Sequence, residues 1–326
     1  MKKKLNLHYI ILGAVALIAI IAIVRLIIWN ISAEDISEIE QDDSDYYIES
    51  MDYILPLNPK YLEGREDDGV TTMVCLGNAP FADDRNSESN LAKLIEKELG
   101  ENAKVYNCSV ADSYMSSMAP TFTDTYPYDA FSFYWLTTVI ALEYDVIIDT
   151  AFAGLEEVPA DLQESMDLLR SIDFETVDVI TVMYDASDYL DGRMVIDTDN
   201  PMDIQRFTGA LASGIQLIQE YYPHIRIMGM SPTYAYAIDE NGEYQSSDIV
   251  DYGMGPLSTY AILESDVCYE NSVSFVDNIY ATINEDNASE YLIDNLHINE
   301  KGREIVAKHF VECFNMYKGI KAENAD

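Results

Sequence analysis

Short apolar runs alternate with longer amphipathic stretches along most of this chain. A run of about four to eight apolar residues is typical of a buried strand, and apolar residues three and four positions apart are typical of a helix. The runs predict five strands, at 70–76, 103–110, 176–184, 225–231 and 272–277. The helical spacing predicts six helices, at 90–99, 129–143, 162–172, 204–221, 257–269 and 299–317. This alternation predicts an α/β fold, with a mostly parallel sheet covered by helices on both faces.

The N-terminal residues are apolar without any such alternation. The stretch 7–29 is interrupted only by His8 and Arg25, and it is long enough to cross a bilayer. A cleaved signal peptide with a weak cleavage site at 31–33 is the alternative, but the apolar run is longer than such peptides usually have. We expect an uncleaved transmembrane anchor at 7–29. Because three lysines at 2–4 outweigh Arg25, residues 1–6 are expected in the cytoplasm and the C-terminal domain outside the cell.

The composition changes again after the anchor. Residues 30–54 contain many acidic and no basic side chains, a composition that repels itself and predicts an extended stalk. The folded part is predicted to be one domain at 55–319, followed by a disordered tail at 320–326. No repeat of fixed period occurs, so a solenoid is not expected.

Charge and cysteine content exclude several classes of function. With 58 acidic against 19 basic residues the formal net charge is -39, which argues against nucleic-acid binding because such binding depends on Lys and Arg. The four cysteines, at 75, 108, 268 and 313, form no CxxC or CxxH pair, so no zinc or redox motif is indicated. We expect no cofactor and no metal. Disulfides and buried reduced thiols both stay open for an exported chain of this size.

The candidate chemistry lies in the loops that follow the predicted strands, where open α/β sheets bind their ligands. One such loop precedes the last helix and reads DNLHINEKG, with Asp294 three residues before His297. A carboxylate at that spacing can hold an imidazole ring and stabilise it when it takes a proton, which is half of a catalytic triad. A structural histidine capped by a nearby aspartate is the alternative explanation.

With these loops taken together, the chain resembles the SGNH/GDSL hydrolase family over about residues 70–310. The clearest match is DNLHINEKG, which is similar to the family's Asp-x-x-His block with its following Asn and Gly. The resemblance implies a three-layer α/β/α sandwich around a flavodoxin-like, parallel five-stranded sheet. It also implies esterase activity on O-acyl groups, with Asp294 and His297 as catalytic residues.

The other family blocks are altered at the positions that carry the chemistry. The Gly-Asp-Ser block reads Gly77, Asn78 and Ala79, so alanine occupies the position of the nucleophilic serine. The resemblance assigns the oxyanion hole to Ala111 and Ser187, the latter in place of an asparagine, and it adds Asp188 to the pocket. An alanine has no hydroxyl to activate, and loss of a serine nucleophile removes on the order of a millionfold of rate in a well-studied protease.

Three functions fit these residues. The first is a membrane-anchored, extracytoplasmic protein that binds cell-envelope or environmental glycans without serine-esterase chemistry. The second is an active O-acyl esterase in which His297 acts as general base on a water. The third is a structural or interaction module in which Asp294 and His297 only cap the last helix. Tyrosines at 232–236 are a candidate sugar-stacking platform, and the segment 82–85 is expected to form a loop ion pair or to bond sugar.

Overall fold

The computed structural model describes residues 50–323, with side chains as far as residue 316. Within this part of the chain, no helix is both long enough and apolar enough to cross a membrane. The predicted cytoplasmic segment, the anchor at 7–29 and most of the stalk lie outside the described residues, so those predictions stay untested.

A five-stranded parallel sheet forms the centre of the described part. Its strands are β1 (Thr71–Gly77), β2 (Ala103–Asn107), β3 (Val179–Met183), β4 (Arg226–Met230) and β7 (Ser274–Val276), in the spatial order β2-β1-β3-β4-β7. The residues of β1, β3 and β4 are almost all buried, which is typical of parallel strands covered on both faces. A separate two-stranded hairpin joins β5 (Ala237–Ile238) to β6 (Tyr244–Gln245).

Helices cover both faces of this sheet. They are α1 (Ala79–Ala82), α2 (Leu91–Leu99), α3 (Phe133–Leu142), α4 (Val146–Gly154), α5 (Ala160–Ser171), α6 (Ser187–Leu190), α7 (Phe207–Tyr221), α8 (Leu257–Glu270), α9 (Ala288–Tyr291) and α10 (Glu300–Glu323). Helix α2 packs against α10, whereas α7 packs against α3 and α8. Helix α2 connects β1 to β2, and α7 connects β3 to β4 in the opposite direction along the sheet. Because such connections are right-handed, the two helices lie on opposite faces. The predicted α/β/α sandwich is therefore present.

The five predicted strands and the six predicted helical regions are confirmed, with shifted ends. The predicted helix 129–143 is divided, because Ser132 has extended backbone between a 3₁₀ turn at Pro127–Phe131 and helix α3. Helix α4 and the β5–β6 hairpin were not predicted. The two hairpin strands have only two residues each, too short to show an alternating pattern.

The segment just before residue 55 is packed on the folded body. Tyr53 pairs with Phe275 in an antiparallel bridge beside β7, with N–H···O distances of 3.1 and 3.0 Å. The predicted stalk spans residues 30–54, whereas residues 51–54 contribute backbone and side chains to the edge of the domain. All four cysteines are buried and unpaired, so the reduced-thiol alternative describes this structure.

Candidate active site

The end of strand β1 comes unusually close to the end of strand β3. Gly77 has φ +141, and a Cβ atom at this position would lie 1.8 Å from the carbonyl oxygen of Met183. Glycine is required on both counts, because other residues rarely adopt this φ and a side chain has no space here. The close approach brings Asn78, the next residue, to the carboxyl end of β3.

Asn78 joins the ends of three strands. Its side-chain NH₂ donates to the Asp185 carboxylate at 2.8 Å and to the Ser113 carbonyl at 2.9 Å. Its side-chain oxygen accepts from the backbone N–H of Asp185 at 2.8 Å. Both side chains are almost fully buried. The amide thus satisfies a carboxylate that has little access to water, and burial raises the pKa of Asp185 above its usual value.

Helix α6 begins with the two polar residues Ser187 and Asp188. Ser187, one of the predicted oxyanion positions, is half-buried and donates its backbone N–H to the Asp185 carboxylate at 2.9 Å. Asp188 is buried and accepts from the backbone N–H groups of Met115 and Ser116 at 2.9 and 3.2 Å, and from the Ser116 hydroxyl. Asp188 therefore fastens the loop after β2 to α6.

The predicted acid–base pair is formed. His297 Nδ1 lies 2.8 Å from Asp294 Oδ2, while Asp294 Oδ1 accepts from the backbone N–H groups of Leu296 and His297, each at 2.8 Å. Four acceptor positions on one carboxylate allow it to fold the loop and hold the ring at the same time. The His297 side chain is 40% exposed, so its ring is accessible rather than packed beneath the helix.

The frame of this loop comes from the rest of the DNLHINEKG motif. Asn299 caps helix α10, because its side-chain oxygen accepts from the Gly302 N–H at 3.0 Å. A Cβ on Gly302 would lie 2.8 Å from the Tyr291 carbonyl oxygen, so glycine lets α10 pack closely against α9. Residues Leu292 and Ile298 close the base of the loop as an antiparallel bridge. The loop is a rigid support for the His297 ring.

Acidic groups surround the exposed ring. Burial opposes the charged imidazolium, but the hydrogen bond to Asp294 and the charges of Asp83 and Asp185 outweigh it and raise the pKa of His297 above 6.5. Burial likewise raises the pKa of Asp83, and the nearby His297 opposes that change. Asp83 follows helix α1 and was not predicted as a site residue, although its segment was noted. It adds a third carboxylate to the neighbourhood of His297.

Ala79 lies at the start of α1, directly after Asn78, and is buried with 6% of its surface exposed. Ala111, the other predicted oxyanion position, is half-buried in the loop after β2. The acidic and basic side chains of 82–85, which were predicted to form a loop ion pair or to bond sugar, contact other parts of the structure instead. Asp84 pairs with Arg303 of helix α10 at 2.7 Å, whereas Arg85 donates to the carbonyl oxygens of Asn107 and Ser109.

Comparisons with known proteins agree with this fold. No protein-family model matches the sequence, and no curated protein matches it at a significant level. One crystal structure matches with 17% identity over 77% of this chain and 99% of that chain, at a TM-score of 0.54. A protein from Lactobacillus plantarum matches with 15% identity over 77% and 99% of the two chains, at 0.51. An aryl esterase from M. smegmatis matches with 13% identity over 76% and 100%, at 0.47.

The fold is SGNH/GDSL hydrolase-like. The five-stranded sheet, its strand order and the Asp-x-x-His loop at the carboxyl edge agree with the resemblance drawn from the sequence. At these identities the matches establish a shared fold and leave activity open.

Aromatic side chains lie next to the His297 loop, and one of them, Tyr236, belongs to the predicted platform at 232–236. Tyr234, in the predicted platform at 232–236, is buried. Tyr236 stacks on Tyr244 of the hairpin, with ring centroids 5.3 Å apart and planes 11° apart, and Tyr244 is 51% exposed. The Tyr236 N–H donates to the Asn295 carbonyl at 2.7 Å, and the Asn295 side chain donates back to the Tyr236 carbonyl at 3.2 Å. These bonds fix the tyrosine pair to the same loop that carries His297.

Proposed function

We propose that this chain is a membrane-anchored, extracytoplasmic, SGNH/GDSL hydrolase-like protein that binds glycans in a catalytically degenerate esterase cleft. The observation that carries this proposal is the intact and exposed Asp294–His297 pair in a chain whose nucleophile position is occupied by Ala79. A serine esterase needs a hydroxyl at that position to form an acyl-enzyme. The pocket keeps its acid–base half and lacks the atom that would be acylated.

The tyrosine pair supports a carbohydrate ligand. Sugar rings have apolar faces that stack on aromatic rings, and tyrosine adds a hydroxyl for hydrogen bonding. The exposed Tyr244 ring is supported from behind by Tyr236, which is in turn bonded to Asn295, two residues from His297. The carboxylates of Asp83, Asp185 and Asp294 favour a neutral glycan over an acidic one, because like charges repel.

The anchoring part of the proposal is supported by the sequence. An apolar stretch at 7–29, with lysines before it and an acidic segment after it, would hold the domain outside the membrane. Such a position would bring the cleft next to cell-envelope or environmental polysaccharide.

Calorimetric titration with xylan and acetylated xylan tests glycan binding. We expect saturable binding without acetate release, and we expect Tyr244→Ala to weaken it about tenfold, the loss of roughly 1.4 kcal/mol of stacking free energy. The matched control is Tyr144→Ala, which removes a ring that is 55% exposed elsewhere on the surface. Absence of binding by the native protein, or an equal loss in both variants, would contradict the glycan assignment.

A second function follows from the exposure of the His297 ring. In a serine-independent esterase, His297 would take a proton from a water while that water attacks the ester carbonyl, and the proton would then pass to the departing sugar oxygen. The neighbouring carboxylates would stabilise the imidazolium. Release of acetate by the native protein that disappears in His297→Ala would establish this reaction. The third function, a structural or interaction module in which Asp294 and His297 only cap the last helix, predicts neither glycan binding nor acetate release.

A further inference from the structure

A second cluster of chemically reactive side chains lies away from the candidate active site, between the start of the folded body and helix α10. His309 Nε2 lies 3.1 Å from Asp52 Oδ1 and 3.8 Å from the Cys313 sulfur. One donor atom from each of the three residues falls within 4.8 Å of the other two. Cys313 is buried, and the side chains of Asp52 and His309 are each 17% exposed.

The contacts do not fit a hydrogen-bonded catalytic relay. In a Cys-His-Asp arrangement the thiol and the carboxylate contact different nitrogens of the ring, as Nε2 and Nδ1. Here both partners converge on Nε2, which has either one proton or one lone pair. A nitrogen, an oxygen and a sulfur atom that all lie within 4.8 Å of one another are close enough together to ligate one ion.

The separations agree with a tetrahedral metal site. With metal–ligand distances of about 2.0 Å for nitrogen and oxygen and about 2.3 Å for sulfur, ligand atoms lie about 3.3 to 3.6 Å apart around a tetrahedral zinc ion. The observed 3.1 and 3.8 Å lie on either side of that range. Side-chain movements of a few tenths of an ångström would bring these two separations to the tetrahedral values.

The ligands are held by surrounding structure. His309 and Cys313 are four residues apart on α10, which places them on one face of the helix. Asp52 is fixed by the backbone N–H of Asp277, which donates to Oδ1 at 2.7 Å. The carboxylate of Asp277 accepts from Met51 and Tyr280, and it adds a negative charge near the cluster. A site whose frame exists before binding needs little reorganisation to accept an ion.

We propose that Asp52, His309 and Cys313 bind a divalent transition-metal ion of the zinc type, with a water as fourth ligand. Thiolate and imidazole are ligands that zinc and its neighbours favour, whereas calcium and magnesium take oxygen ligands. Binding replaces the thiol proton of Cys313, which is released to solvent, and it uses the Nε2 lone pair of His309, so a proton on that nitrogen moves to Nδ1 or is released as well. The bound ion would cross-link the end of the predicted stalk segment to the last helix, a function separate from the proposed glycan site.

The sequence does not reveal this site because its ligands are far apart in the chain. His309 and Cys313 show a helical spacing of four, but Asp52 precedes His309 by 257 residues. The bridge between Tyr53 and Phe275, and the hydrogen bonds of Met51 and Asp52 with Asp277, bring the N-terminal segment to this position.

Cobalt(II) titration of the purified full-length chain, kept reduced, tests the proposal. Co²⁺ reports a thiolate ligand through a sulfur-to-metal charge-transfer band in the near ultraviolet, which oxygen and nitrogen ligands do not produce. We expect one equivalent of Co²⁺ to generate this band, and added Zn²⁺ to remove the band by displacing the bound Co²⁺. Cys313→Ala should abolish the band, while the matched control Cys268→Ala, which removes another buried free thiol, should retain it.

Asp52→Asn provides an independent variant, because the amide still accepts from Asp277 but is a far poorer ligand. We expect it to stay folded by circular dichroism and to weaken Co²⁺ binding at least tenfold. A native protein without the charge-transfer band would overturn the proposal, as would a band that survives Cys313→Ala. Equal Co²⁺ affinity in Asp52→Asn and the native chain would remove Asp52 from the site and overturn the three-ligand assignment. If Cys313→Ala does not fold, the native band and the Asp52→Asn titration decide.

Discussion

Asn78 and Asp185 are directly linked in the site, and their pairing gives a physical reason for one departure from the family pattern. The family has an aspartate at position 78. An aspartate there would place a second carboxylate within 2.8 Å of the Asp185 carboxylate, in a site that water barely reaches. The asparagine amide donates to Asp185 instead of repelling it. The change at 78 is therefore coupled to the presence of Asp185.

Asn78→Asp should destabilise the fold by about 3 kcal/mol near neutral pH, because it leaves two buried carboxylates facing each other. Burial and mutual repulsion would raise the pKa values of the two carboxyl groups in the folded state. The loss of unfolding free energy therefore grows as pH rises above about 4 and shrinks as pH falls towards that value. Urea unfolding at several pH values measures this. Asn86→Asp in an exposed loop is the control, and an Asn78→Asp variant as stable as that control at neutral pH would show that the pairing is unimportant.

His297 should titrate with a midpoint above 6.5 in NMR spectra of the imidazole resonances, because three carboxylates favour the charged ring. Asp294→Asn should lower that midpoint. Because the pKa of His297 is raised in the folded protein, the stabilisation that the Asp294–His297 pair contributes is fully present below pH 6.5. It is lost as pH rises through the pKa of His297 in the folded state. The pKa of Asp294 is lowered, so the same stability requires pH above 3.8 and is lost as pH falls through the folded value.

The control for this titration is in the same spectrum. Burial and the charge of Arg65 lower the pKa of His224, which should titrate below 6.5 and should not respond to Asp294→Asn. A His297 midpoint at or below that of His224 would contradict the electrostatic description of the site.

At the scale of elements, the site depends on how closely strand and helix ends approach. Gly77 brings β1 to the end of β3, Gly302 brings α10 to α9, and Asn299 starts the helix that follows His297. Arg303 is nearly buried and extends these links, donating to Ser89, Ile298 and Asp84 at 2.8, 3.1 and 2.7 Å. The acid–base loop and the loop after α1 are thus joined through one guanidinium group.

Gly77→Ala should cost about 4 kcal/mol or more, because it adds a clash with the Met183 carbonyl to an unfavourable φ. Gly242→Ala is the matched control. Gly242 has φ +82 but open space around it, so that variant isolates the backbone cost and should lose about 1 kcal/mol. Free energies of unfolding from urea titrations measure both. Similar losses in the two variants would mean that the strand ends do not constrain the site.

Elements with strong periodic patterns were predictable from the sequence, and long-range placements were not. The apolar runs of β1, β3 and β4 and the DNLHINEKG motif showed the sheet and the acid–base pair. The sequence could not show that Asn78 bonds to Asp185 or that Tyr234 is buried, because both depend on the packing of distant segments. Asp83 became a site residue only through the proximity of the β1 and α10 ends.

For the whole molecule, the excess of acidic groups and the empty nucleophile position point to the same description. Under the proposed function, the net charge of -39 and the carboxylates of Asp83, Asp185 and Asp294 near His297 favour a neutral ligand over an acidic one. The described body holds the Asp294–His297 pair at the carboxyl edge of the sheet, where α/β folds bind their ligands. In this proposal, the side chain at position 79 is what separates the protein from a serine esterase.

Esterase activity of Ala79→Ser on p-nitrophenyl acetate and acetylated xylan tests that description most directly. If the acid–base pair is aligned with position 79, the new hydroxyl should be activated, and turnover should exceed that of the native protein by at least about a hundredfold. The activity should vanish in Ala79→Ser/His297→Ala. A folded Ala79→Ser variant with no turnover above the native background would show that Asp294 and His297 are not poised for catalysis, and would contradict the account of a hydrolase cleft that lacks only its nucleophile.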